Sequence, residues 1–289
     1  MLIIIPLSFL IISCGNDNSV PGGSGLIEST EVIVSAETAG QLKAIYFDEG
    51  DDITGGDTIC MIDTVTVTLR LRQAKALREA SLIQLDISKI NIEQAAVNLL
   101  LAKKEYERVK SLIKSGSVNQ QQYDKTETAH NSASLAEKQA LASKAAIEAD
   151  LKRTDAEIAL LEKQFRDCFP VAPGSGVVTD KFIDVGELAG IGKSLIKIAQ
   201  LDTVWVKVYV PASDLTAIEL GDNAEIDPED GHSQPLHGTV TWISTEAEFT
   251  PKNVQTREAR ANLVYAVKIS IPNPGRILKI GMPVFVKIK

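Results

Sequence analysis

Histidine, cysteine and aromatic residues are scarce in this chain, and its middle third lacks the residues that break helices. Three His and three Cys in 289 residues leave little with which to build a metal or nucleophilic centre, and no two Cys stand in CxxC spacing. There is no Gly-rich phosphate loop, no HExxH helix and no Ser/His/Asp set in a suitable context. The chain is therefore read as no enzyme, with no cofactor and no resident metal; any energy it uses comes from a partner. Asp227, Glu229, Asp230, His232 and His237 lie close together, but in a Pro/Gly turn where charged residues are ordinarily just solvated. A basic surplus is missing too. The net charge is −8 and the sequence pI about 5.1, which argues against nucleic acid as a partner. Aromatics amount to 5%, while Ala, Leu, Gln, Lys and Glu crowd the middle third. That bias suits long helices set between compact β-rich parts.

No apolar run is long enough for a spanning helix, which needs about 20 residues. The apolar stretch at residues 2–13 is shorter and ends at Cys14, which fits the core of a signal peptide. The polar, Gly-rich sequence GNDNSVPGGSG follows and reads as a tether. The tetrad Ile11-Ile12-Ser13-Cys14 resembles a lipobox, which implies that Cys14 is diacylated and becomes the mature N-terminus. Residues 1–14 are thus expected to be removed or lipidated, and residues 15–26 to form the flexible link.

The most informative feature is an internal repeat. Residues 39–63 (AGQLKAIYFDEGDDITGGDTICMID) and 175–199 (SGVVTDKFIDVGELAGIGKSLIKIA) align without a gap. Gly40 meets Gly176, Asp48 meets Asp184, Gly50 meets Gly186, Gly56 meets Gly192, and Ile59 and Ile62 meet Leu195 and Ile198. The recurring glycines are turn positions between short strands. Each copy is a β-unit too small to hold a core alone, whereas two packed together suffice. The stretch EGDDITGGDTICMID resembles the half-motif of biotinyl/lipoyl domains, a flattened sandwich of two such halves. In carrier proteins a tight hairpin bearing the modified Lys joins the halves. Here residues 64–174 intervene, and neither flank, Met61–Thr64 nor Ala172–Gly174, has a Lys. A carrier subunit of a biotin- or lipoate-dependent enzyme is the rival from another class, without its reactive residue.

Between residues 66 and 167 there is no Pro and one Gly, Gly116, which bisects the segment. On the first arm Leu69, Ala76, Ala80, Ile83, Ile87, Ile90, Val97 and Leu101 recur at coiled-coil spacing. On the second, Ala133, Ala140, Ile147, Leu151, Ile158, Leu161 and Phe165 do the same. Folding back at Gly116 sets Leu69 on Phe165, Ile83 on Leu151, Ile87 on Ile147 and Leu101 on Ala133. The expected insert is an antiparallel helical hairpin over residues 66–168, roughly 75 Å long at about 1.5 Å per residue. At its tip, Gly116 closes the first helix, and Ser117 or Asn119 accepts from the amides that open the second. His130 is placed in the seam or on the surface of the arm.

The tip sequence ERVKSLIKSGSVNQQQYDK resembles that of periplasmic adaptors that dock on TolC-type channels, which have an Arg, a Leu four residues on and a Ser seven further. Arg108 and Leu112 match in type and spacing, and Asn119 stands where the family has Ser. After Ala199 the pattern turns to strands: Thr203–Val210, Ala224–Ile226, Gly238–Ser244, Leu263–Ile271 and Val284–Ile288. One short helix, ASDLTAIEL, is capped by Ser213-Asp214. Such a run suits a small closed barrel over residues 201–289. The ending LKIGMPVFVKI resembles the barrel of the HlyD-type adaptors, and FTPKNVQTREARANLVYAVKI resembles the matching segment of those serving ABC-type exporters.

The resemblance to membrane fusion proteins covers most of the chain. It implies an α+β, multidomain fold: a lipoyl-like β-sandwich in two split halves (27–65 and 169–200), a coiled-coil hairpin between them, and a C-terminal antiparallel β-barrel. It implies a periplasmic, membrane-anchored lipoprotein of a Gram-negative bacterium, held at the inner membrane. The implied partners are an ABC-type inner-membrane exporter, a TolC-like outer-membrane channel and further copies of the chain in a ring, six by resemblance. An adaptor of a proton-driven RND pump is the alternative. Those usually continue past the GMPVFV-like strand into a membrane-proximal domain, and this sequence stops at Lys289.

Overall fold

The computed structural model describes residues 21–228, 235–249 and 263–289. In chain order the elements are β1 (Gly22–Ser35), β2 (Gly40–Ile45), β3 (Asp52–Ile53), β4 (Cys60–Ile62), α1 (Val65–Lys114), α2 (Gln120–Asp167), β5 (Gly176–Lys181) and β6 (Leu188–Ala189). Then come β7 (Ser194–Pro211), α3 (Ala212–Leu215), β8 (Asn223–Asp227), β9 (Leu236–Ile243), β10 (Glu248–Phe249), β11 (Leu263–Pro272) and β12 (Pro283–Ile288). The fold is the α+β multidomain architecture expected, in three parts: a split sandwich, a helical hairpin and a barrel.

The repeat folds as a pseudo-twofold sandwich, and the symmetry reaches individual hydrogen bonds. Gly50 N–H donates to Val178 O at 2.8 Å, and its counterpart Gly186 N–H donates to Leu42 O at 2.9 Å. Leu42 N–H donates to Glu187 O, and Val178 N–H to Asp51 O. Gly50 and Gly186 both have φ of +96°, a conformation costly for any residue with a Cβ. Each half therefore closes its turn on the other half's strand, so neither is complete alone. The shared core holds Leu42, Ile59, Ile62, Val178, Leu195 and Ile198, all buried.

The hairpin springs from this core. Ile62 N–H donates to Cys168 O at 2.8 Å and Ile59 N–H to Pro170 O at 2.8 Å, stitching the two roots together. Val67 and Phe169 pack on the sandwich core from the helix ends. α1 has 50 residues and α2 has 48, so the hairpin is about 75 Å long. On α2 the expected face is the covered one: Ile158 and Leu161 are buried, and Ala133, Ala140, Ile147, Leu151 and Phe165 are half-buried. On α1 the expectation fails. Every residue of the expected stripe is exposed, Ile83 by 65% and Leu101 by 69%. The seam instead uses Val67, Leu71, Ala74, Leu85, Ser88, Ile92, Leu99 and Val109. α1 has two heptad-spaced apolar stripes, and periodicity alone does not say which meets α2.

The barrel closes in the order β7–β11–β9–β8–β12–β1, with β1 returning to β7. Along β7, Val204, Val206, Val208 and Val210 point inward and are fully buried, alternating with outward Trp205, Lys207 and Tyr209 as the pleat requires. Lys268 Nζ sits 4.0 Å from the Trp205 ring centroid outside the wall. Two expectations are corrected here. The tether ends early, because Gly22–Leu26 pair with Lys287–Pro283 as a barrel strand. The Ser213-Asp214 cap does not form. α3 starts at Ala212, one turn long, and Ser213 Oγ donates to Asp214 Oδ1 at 2.8 Å.

Candidate functional site

The hairpin tip is where chain geometry leaves side chains furthest from the β-body. α1 ends in a Schellman turn. Ser117 N–H donates to Leu112 O at 3.0 Å and Gly116 N–H to Ile113 O at 3.1 Å, with Gly116 at φ +71°. α2 then opens on Asn119, whose Oδ1 accepts from Gln122 N–H at 2.9 Å. Of the two cap residues expected, Asn119 does the capping, and Ser117 Oγ lies 3.0 Å from Ser115 Oγ instead.

Arg108, Leu112 and Asn119 are all exposed. Arg108 and Leu112 lie one turn apart on α1, and the Leu112 carbonyl anchors the loop that leads into Asn119. The Arg108 guanidinium turns back onto Glu105; this hydrogen bond and charge hold its pKa above the usual value. Arg108 is thus paired with its own helix and not with Asn119. An exposed pair of this kind is worth little and breaks readily when a partner carboxylate competes.

Below the tip lies a polar knot that sequence reasoning missed. The Tyr106 and Tyr123 hydroxyls are 3.0 Å apart, and each lies 3.4 Å from Glu127 Oε1. His130 stacks on the Tyr106 ring with centroids 5.3 Å apart, which puts it in the seam. The bond to Tyr106, helped by burial and the Glu127 charge, pushes the Tyr123 phenol up to about 12. Heptad spacing of all four residues was the available signal, but their meeting depends on the register between helices.

Cys60 and Cys168 are buried free thiols at the hairpin root. Burial pushes the Cys60 thiol up to about 11 and raises that of Cys168 as well, so neither is a poised nucleophile. Cys14 lies outside the described residues, as do Glu229, Asp230 and His232 of the acidic turn. Among the described residues no helix is long and apolar enough to cross a membrane.

Residues 203–289 match the family model of the CusB-like, beta-barrel domain. A UPF0194 membrane protein of Yersinia pseudotuberculosis serotype O:3 (strain YPIII) is 29% identical, over 91% of this chain and 88% of its own length. A UPF0194 membrane protein in the asrC 5′ region of Acidithiobacillus ferridurans is 36% identical over 50% of this chain and 43% of its own. Among solved structures, MacA from Actinobacillus actinomycetemcomitans superposes with a TM-score of 0.69 at 20% identity, covering 93% of this chain and 78% of that one. A MacA–MexA chimera containing the Pseudomonas aeruginosa MexA α-hairpin gives a TM-score of 0.51 at 20% identity, covering 94% and 83%. The likeness to these two is one of fold.

Proposed function

From the fold of the membrane fusion proteins, which this chain has, we propose that it is a periplasmic adaptor linking an inner-membrane exporter to a TolC-like outer-membrane channel. The observation that carries this reading is the hairpin, 50 and 48 residues of helix projecting from a compact β-body. So long an arm does nothing for the body's own core, whereas it gives reach. Lipidation at Cys14 would fix the other end at the inner membrane, and several copies in a ring, six by family resemblance, would enclose a conduit. The adaptor has no chemistry of its own in this reading. The place of a carrier protein's lysine hairpin is taken by the hairpin root, which speaks against a biotinyl or lipoyl carrier.

Within this role an ABC-type exporter is the partner we favour, from the likeness of residues 249–269 to adaptors of that class. A proton-driven pump is the second reading, because the barrel family that residues 203–289 match is named for RND systems. An ATP-binding subunit encoded next to this gene supports the first; a twelve-span pump there supports the second.

Docking is assigned to Arg108, Leu112 and Asn119. The test is the double variant Arg108→Asp with Leu112→Ser, scored for export in cells with one outer-membrane channel and for thermal stability in parallel. Both side chains are exposed, so stability should change by only about 0.5 kcal/mol, while export is lost. Export at the wild-type level would overturn the tip as the docking surface.

A further inference from the structure

Proteins keep open sheet edges short or covered, because an unpaired edge invites another strand. The terminal strands of both sheets obey: β3, β4, β6 and β10 are two or three residues long. β1 does not. It pairs with β12 only through Gly22–Leu26. Ile27 adds two bonds on that side, its N–H donating to Met282 O and its C=O accepting from Gly281 N–H. From Glu28 to Ser35 the one strand partner of β1 among the described residues is β7. Ladder bonds alternate along a strand. Ile27 turns its backbone groups away from β7, whereas Ala36 N–H donates to Lys193 O on the β7 side. The ladder irregularities between them put their extra residues on β7, so alternation along β1 runs unbroken. Ser29, Glu31, Ile33 and Ser35 therefore aim N–H and C=O at the open edge.

The side chains of this edge are as open as its backbone. Val32 is 39% and Ile33 53% exposed. Yet Val32 stands opposite buried Ile198, and Val34 on the same face packs against the sandwich core. The core ends there at an unfinished margin. The run STEVIVS is β-prone and lacks the Lys or Pro that ordinarily guards an edge. Charge decides what can lie along it. Residues 28–37 hold Glu28, Glu31 and Glu37 and no Lys or Arg. Glu37 is paired with Lys163 at 3.1 Å. Glu31 is approached by Lys197 at 3.8 Å, but that Lys bonds Asp180 at 2.8 Å. The β1 of a second copy would bring the same carboxylates with it, and like charges across a ladder are unfavourable.

We propose that Ser29–Ser35 of β1 is a strand-addition site whose occupant is an extended segment of a partner protein, with Val- or Ile-like residues on the face towards Val32 and a Lys or Arg opposite Glu31. Main-chain bonds to Ser29, Glu31, Ile33 and Ser35 supply the affinity, and the apolar margin and the Glu31 carboxylate supply the selectivity. The site lies on the sandwich, away from the hairpin tip. It depends neither on docking by Arg108, Leu112 and Asn119 nor on lipidation at Cys14.

Amide hydrogen exchange on the full-length chain tests it, read residue by residue, with the synthetic peptide KVTVKVTVK as the probe. In the free protein the N–H groups of Thr30 and Val32, which face β7, should be protected, and those of Glu31 and Ile33 should exchange fast. The probe should slow Glu31 and Ile33, and the same peptide with Glu in place of each Lys should bind several-fold more weakly. Ile33→Pro deletes an N–H that no ladder bond uses, so the melt should hold while the effect of the probe vanishes. Val32→Pro removes a bond to β7 and should lower the melt, as the assigned alternation requires. Slow exchange at Glu31 and Ile33 without peptide, deepening with protein concentration, would make the occupant a second copy and overturn the proposal. Equal binding of the two probes would overturn it as well, as would no change on adding the lysine probe.

Discussion

Asn119 shows how one side chain can serve the fold and a partner through different atoms. Its Oδ1 is committed to Gln122 N–H at 2.9 Å, while the rest of the residue faces solvent beside the Leu112 turn. Serine makes the same cap with a shorter reach, so the family's Ser and this chain's Asn are equivalent for folding. Asn119→Ala should lower hairpin stability by about 1 kcal/mol, and Asn119→Ser should leave it unchanged, both read from thermal melts. A Ser variant as unstable as the Ala variant would show that the amide does more than cap. Arg108 and Leu112 were legible only through family resemblance, because nothing local sets an exposed Arg on a helix apart from any other. The knot of Tyr106, Tyr123, Glu127 and His130 was legible only as heptad spacing on each helix, not as a meeting of the four. Each residue is unremarkable on its own helix, and the chemistry arises where the two helices meet.

At the scale of elements, the two helices were not equally readable, and the reason is physical. α2 leaves Leu135, Leu141 and Leu160 exposed, but only one of its apolar stripes keeps heptad spacing along the helix, so spacing identified the covered face. α1 carries two, and its more hydrophobic stripe, rich in isoleucine, is the exposed one. The true seam mixes Leu71, Leu85, Ile92 and Leu99 with Arg78, Ser81 and Ser88, a pattern that looks poorer on paper. α2 carries its own polar seam positions cheaply. Thr126 Oγ1 donates to Tyr123 O at 2.9 Å and Thr154 Oγ1 to Asp150 O at 3.1 Å, so both buried hydroxyls are satisfied within their own helix. The repeat, by contrast, was readable in register, since Gly50 with Gly186 and Gly56 with Gly192 mark turns of positive φ in both halves, whereas the third matched pair, Gly40 and Gly176, opens strands and not turns. Paired substitutions separate the two α1 faces. Leu151→Asp places a charge in the seam and should cost roughly 2–4 kcal/mol. Ile83→Asp, which pairing with Leu151 would make equally damaging, should change the melt of the single chain by less than about 0.5 kcal/mol. Equal losses from both would restore the stripe first read from the sequence.

At the scale of the molecule, the sandwich and the barrel are joined without a linker. β1 pairs with β12 through Gly22–Leu26 and with β7 from Ile27 to Ser35, and β7 runs from one domain into the other. A change of composition near residue 200 marks the boundary in the sequence, but alternation continues through it and conceals that one strand serves both cores. A bulge between Glu28 and Thr30 lies at the crossing. Beside it, buried Asn273 donates through Nδ2 to Leu201 O at 2.8 Å and Leu278 O at 3.0 Å, and its Oδ1 accepts from Leu278 N–H at 3.0 Å. Next to it Arg276 reaches from the barrel to Asp202 on β7, Nε to Oδ1 3.1 Å, and to Asp52 on the sandwich. The two carboxylates are well exposed, so the pairs contribute little to global stability. Their position gives them a different use, as a brace across the crossing that fixes the angle between domains. Arg276 also stands at φ +53°, a conformation that costs a non-glycine residue on the order of 1 kcal/mol. Arg276→Gly removes the brace and the strain together, so the melt should move by no more than about 0.5 kcal/mol. The distribution of distances between spin labels at Glu187 in the sandwich and Glu219 in the barrel should nevertheless broaden, because two continuous strands permit bending and twisting that the brace suppresses. Distributions of equal width in the variant and the wild type would show that the shared strands alone hold the two domains at their angle.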